Sequence, residues 1–172
     1  MITQEIQWLL GMDGVTIMGN KNILCVTAML FVGGCGVSPS DNDLNGLFGA
    51  HREDFEVVKN LCASHQEISY VDPKSVTRLG KSQSQLVDLE EISLVENIRK
   101  ILLKLNAWNY HCSKSGPSIV VYSRGFVFSG EARGIAFFQP GGKWDRVVND
   151  LIRTGEISPI TDDGWYVFHW QN

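Results

Sequence analysis

The spacing of apolar residues shifts from a helical to a strand period after Leu105, and that shift constrains the fold more than any single motif does. Across residues 88–105 the side chains of Ile92, Val95, Ile98, Leu102 and Leu105 recur every three or four positions, which lines them along one stripe of a helix. Asp88 with Glu91 has the form of a capping box at its start, and Asn106 suits its stop. Residues 47–64 repeat the pattern through Phe48, Phe55, Val58 and Cys62. Beyond Leu105 the period falls to two. Residues 108–112 and 118–123 read as strands joined across Lys114-Ser115-Gly116-Pro117, residues 133–139 as a third, and residues 164–170 as an aromatic closing strand. Between the last two, Trp144, Val147, Val148 and Leu151 mark a short helix after the Pro140-Gly141-Gly142 break, while residues 68–71 form a short extended piece. Helical periodicity first and strand periodicity after predict an α+β domain. Its expected form is an antiparallel sheet of about four strands, with two main helices and one short helix packed on one face.

Composition narrows the class of partner. The chain has 172 residues, 44% of them hydrophobic, with eight Phe and five Trp, enough to bury the core of one domain. Its net charge is -4, and no Lys/Arg cluster offers a field for a phosphate backbone, so nucleic acid is not an expected partner.

Upstream of the periodic region lies an apolar run over residues 23–32. Even extended to Gly34 as a helix it reaches roughly 18 Å, well short of the ~30 Å hydrocarbon core, so it does not span a bilayer unaided. Lys21 stands before it and small residues follow, the layout of a secretory signal peptide. Residues 1–17 carry Glu5 and Asp13 where a basic head is expected, which makes Met18 an alternative start.

The run ends in Val32-Gly33-Gly34-Cys35. This sequence resembles the lipobox of bacterial lipoproteins: an aliphatic residue, two small ones, then cysteine. The resemblance implies that the Cys35 thiol takes a diacylglyceryl group, that the chain is cleaved after Gly34, and that Cys35 becomes the acylated (palmitate-type) N-terminus. Two or three acyl chains anchor a protein firmly, since each buried CH₂ contributes about 0.8 kcal/mol. In enteric-type bacteria an Asp after the modified cysteine retains such proteins in the inner membrane; Gly36 stands there instead, which points to the outer membrane. Residues 133–138 and 163–168 also resemble the closing part of small lipoproteins of Gram-negative bacteria, a likeness that carries no activity with it.

On this reading residues 1–34 are a signal peptide, residues 35–46 a lipidated cysteine and flexible tether, and residues 47–172 a single globular domain. The tether reading rests on the small and polar residues that follow Cys35, which fully extended hold a domain up to about 36–40 Å from its anchor. Cys62 and Cys112 are then the thiols left in an oxidising periplasm. They form either a disulfide or two buried free cysteines.

No spacing for catalysis is present. The histidines His51, His65, His111 and His169 show no metal-ligand spacing, no Cys-x₂-Cys pair occurs, and no metal or cofactor is expected. No Ser lies in a Gly-x-Ser-x-Gly turn. The closing strand is apolar on both faces, with Trp165, Val167 and His169 on one and Tyr166, Phe168 and Trp170 on the other. One face suits the helices; the other, Tyr166, Phe168 and Trp170, is the candidate partner face. The expected function is a non-enzymatic, lipid-anchored envelope protein, joined to the membrane through Cys35, whose aromatic face binds another envelope component or a second copy. The alternative is a small envelope hydrolase or inhibitor whose site forms only in three dimensions, from groups such as His111, Ser123 and Glu131.

Overall fold

A computed structural model describes residues 37–72, 76–78, 89–126 and 129–171, with the backbone alone for residues 76–78, 89–91, 125–126 and 129. Helix α1 (Asp41–Ala50) starts at Ser40, whose Oγ accepts the Asp43 amide while the Asp43 carboxylate accepts the Ser40 amide at 2.8 Å. That reciprocal pair satisfies two of the donors a helix start leaves over. Leu44 and Phe48, one turn apart, bury its inner face. At His51 the backbone leaves helical geometry, with φ -129°, and α2 (Arg52–Ser64) continues with Phe55, Val58 and Cys62 buried. The expected helix over 47–64 is therefore two helices, and the expected tether over 35–46 is corrected from residue 38 onward, where Ser38 and Pro39 bond to Glu131 and Arg133 and residues 41–46 are helical. Its small polar residues are the cap and first turn of α1 rather than linker.

Helix α3 (Leu89–Lys104) carries most of the stripe read from the sequence: Val95, Ile98 and Leu102 are buried and Ile101 joins them, whereas Ile92, in the first turn, is 42% exposed. It stops where expected: Asn106 takes φ +50°, and the Ala107 amide donates to the Leu102 carbonyl at 2.8 Å. Asp88, the expected cap, lies outside the described residues.

The strands are β1 (Ile68–Val71), β2 (Val76–Arg78), β3 (Asn109–Ser113), β4 (Gly116–Phe126), β5 (Ser129–Phe137), β6 (Ile157–Pro159) and β7 (Trp165–Gln171). They form one antiparallel sheet in the order β2-β1-β3-β4-β5-β7-β6. The α+β class with an antiparallel sheet stands as expected. The strand number does not: the described residues form seven rather than about four, because residues 68–71, read as a short extended piece, join the sheet as β1, and the edge strands β2 and β6 have only three residues each, too few to show alternation. Gly116 closes the β3–β4 hairpin at φ +138°, where a Cβ would meet the Phe137 carbonyl oxygen at 2.1 Å.

Helices cover both faces of the sheet, a second correction. On one face α1, α2 and α3 pack with Tyr110, Cys112, Ile119, Ile135, Trp165 and Val167. On the other, α4 (Asp145–Thr154) places Val148 and Leu151 against Ala136, Phe138, Ile157 and Phe168. Gly155 ends α4 in the left-handed region at φ +78°. The period of an amphipathic helix says that it has an apolar side, not which side of a sheet will take it.

Candidate functional site

Cys62 at the end of α2 and Cys112 in β3 are joined by a disulfide, S–S 2.01 Å, across a separation of 50 residues. Cys112 faces the larger core because Tyr110 and Cys112 alternate with half-buried neighbours along β3. Gly34 and Cys35 lie outside the described residues.

The candidate partner face on β7 is not open. Phe168 is 4% exposed and packs beneath α4, and the Tyr166 ring stands edge-on to Phe138, centroids 5.7 Å apart. Gly134 makes room for Phe168, since a Cβ there would lie 2.8 Å from the ring. Trp170 alone of the three belongs to neither core cluster, and it is half-buried near the end of the strand. The reading of Tyr166, Phe168 and Trp170 as a free face is corrected: α4 packs on the side that the sequence reading gave to a partner.

The groups named for a hydrolase are not brought together. His111 pairs across from Ser118, five positions along β4 from Ser123, roughly 17 Å away at strand rise. Ser123 pairs with Ala132, so Glu131 on the adjacent position of β5 projects to the opposite face. Instead, Glu131 is part of a polar network that the sequence reading missed. Ser38 Oγ donates to Glu131 Oε1 at 2.7 Å, and His169 Nε2 lies 3.4 Å from the same oxygen. Arg133 donates to the Pro39 carbonyl and pairs with Asp41 Oδ1 at 3.3 Å, while Ser158 Oγ donates to Asp41 Oδ2 at 2.7 Å. The signal was present in β5, where Glu131 and Arg133 hold the positions that alternation assigns to the core face of Ile135 and Phe137.

A cleft of about 720 Å³ opens at the α1–α2 junction, lined by His51, Arg52, Glu53, Asp54, Glu56 and Lys104. Lys104 Nζ lies 2.7 Å from Asp54 Oδ2, and His51 Nδ1 lies 3.2 Å from the same atom. The hydrogen bond from Lys104, helped by His51 against the cost of burial, holds the Asp54 carboxyl below its ordinary range. Asp54 orients an imidazole, as in nucleophilic sites, yet none of the residues lining the cleft is Ser, Thr or Cys. Among the described residues no group of three or more His, Cys, Asp and Glu is placed to hold a metal ion, and no helix is long and apolar enough to cross a membrane.

No protein-family model, curated protein or solved structure matches the chain.

Proposed function

We propose that this chain is an exported envelope protein, anchored in the outer membrane by acyl chains on Cys35, whose domain binds another envelope component without catalysing a reaction. The observation that carries this reading is the Cys62–Cys112 disulfide. Disulfides persist in oxidising compartments and are rare in the cytosol, so it supports export, the same destination that the run ending in Val32-Gly33-Gly34-Cys35 implies. Support for binding comes from two large apolar side chains left in solvent where α3 meets β3, Leu103 at 72% and Trp108 at 58% exposure. They replace the closing strand as the contact surface, and Trp is a common anchor of protein interfaces. Metabolic labelling with a fatty-acid analogue tests the anchor. Wild-type chain takes the label and Cys35→Ala loses it; label retained by Cys35→Ala removes the lipoprotein reading.

A further inference from the structure

We infer that the β4–β5 end of the sheet, presenting Arg124, Trp170 and Gln171, rests on the lipid headgroups beside Cys35, held there by a leash too short to let the domain stand away. The inference rests on the proposed acylation of Cys35. It concerns what the domain touches once anchored.

The leash follows from the polar network. Ser38 and Pro39 are fixed to the sheet by Glu131 and Arg133, and Asp41 by Arg133 and Ser158. The chain is thus captured at Ser38, three residues after Cys35. Three residues span at most roughly 11 Å, against the 36–40 Å of a free eleven-residue tether. The headgroup layer is itself roughly 5–8 Å deep on each side of the hydrocarbon, so an anchored Cys35 draws Ser38 down to the lipid surface.

Register determines which part of the domain comes with it. Arg124, Glu131 and Gln171 form one cross-strand row, with Ser38 bonded to its central member. Ser123, Ala132 and Trp170 form the next row. Arg124 and Gln171 are exposed, and Val37 in the leash is 90% exposed. The chemistry of this end suits a phospholipid surface. Arg124 offers a guanidinium to phosphate, and Trp170 an amphipathic ring of the kind enriched at headgroup level. Glu131 presents no bare carboxylate to anionic lipid, because Ser38, His169 and Arg133 surround it. The β3–β4 turn at Lys114 is the opposite pole, roughly 27 Å away along β4.

Photo-crosslinking of the full chain in cells, with a photoreactive phenylalanine analogue in place of Arg124 or Lys114, tests the inference alongside fatty-acid labelling. Position 124 should give phospholipid adducts at least about tenfold above position 114, given the distance between the two poles. Inserting about twelve Gly/Ser residues between Gly36 and Val37, outside the folded domain, adds a coil of roughly 20 Å and should remove that excess while the label stays. Labelled chain with equal adducts at both positions overturns the inference and leaves the lipoprotein reading standing. Adducts at 124 undiminished by the longer leash also overturn it, since the leash would not be what holds this face down. Chain without label overturns both.

Discussion

Replacing Cys62 by Ser should lower stability by about 4 kcal/mol, the loop-entropy value for a bridge closing fifty residues, and lower the melting temperature by roughly 15 °C for a domain of this size. The bridge joins the end of α2 to β3, and the loop between them contains β1, β2 and α3. Cutting it lets all three explore the unfolded chain's freedom before the sheet closes. Both sulfurs are buried in the main core, so the substitution also leaves a hydroxyl and a thiol facing apolar neighbours. Thermal unfolding of wild type with and without reductant checks the number independently of any substitution. The reduced wild type and Cys62→Ser should melt close together, well below the oxidised protein; a melting temperature indifferent to reductant would contradict the account.

Trp165→Ala should be as damaging, about 3–5 kcal/mol. The ring is 1% exposed and lies within 5.2–5.6 Å, centroid to centroid, of Phe48 in α1, Phe55 in α2 and Phe137 in β5. Its indole Nε1 donates to Glu56 Oε1 at 3.0 Å. Truncation therefore opens a cavity where both N-terminal helices meet the sheet, and it removes the one polar contact that orients the ring. Trp108→Ala supplies the contrast: that ring is 58% exposed and its loss should shift stability by no more than about 0.5 kcal/mol. Denaturant unfolding of the two variants side by side checks both values. Comparable losses would mean that Trp108 is packed and unavailable as a contact residue.

These two residues also show what the sequence can and cannot carry. Strand periodicity put Trp165 and Val167 on one face of β7 and Phe168 on the other, and the structure keeps that division. It could not say that α4 would cover Phe168, because an amphipathic helix after a glycine break can cross to either side of a sheet. Helix α3 was readable to within a residue of its end, since its stripe is long and Asn106 supplies a specific stop. Helix α1 was hidden by its own cap: Ser40 and Asp43 are turn-forming residues by composition, and only Leu44 and Phe48, four apart, disclose a helix. The same composition concealed the capture of Ser38 by Glu131. A pairing between residues 93 positions apart leaves no local trace, although charged residues at the core-facing positions of β5 mark that something must meet them. The hydrolase trio failed for a related reason. His111, Ser123 and Glu131 share a sheet, and sheet register, not sequence proximity, decides which of them can meet.

Whether the chain is anchored through Cys35 is read out by the N-terminal peptide of protein extracted from membranes. Mass spectrometry of that peptide should find a chain beginning at Cys35, heavier than its residues by a diacylglyceryl group with or without a further amide-linked acyl chain. A peptide running unbroken through Val32-Gly33-Gly34-Cys35-Gly36, with its cysteine unmodified, would contradict the anchor.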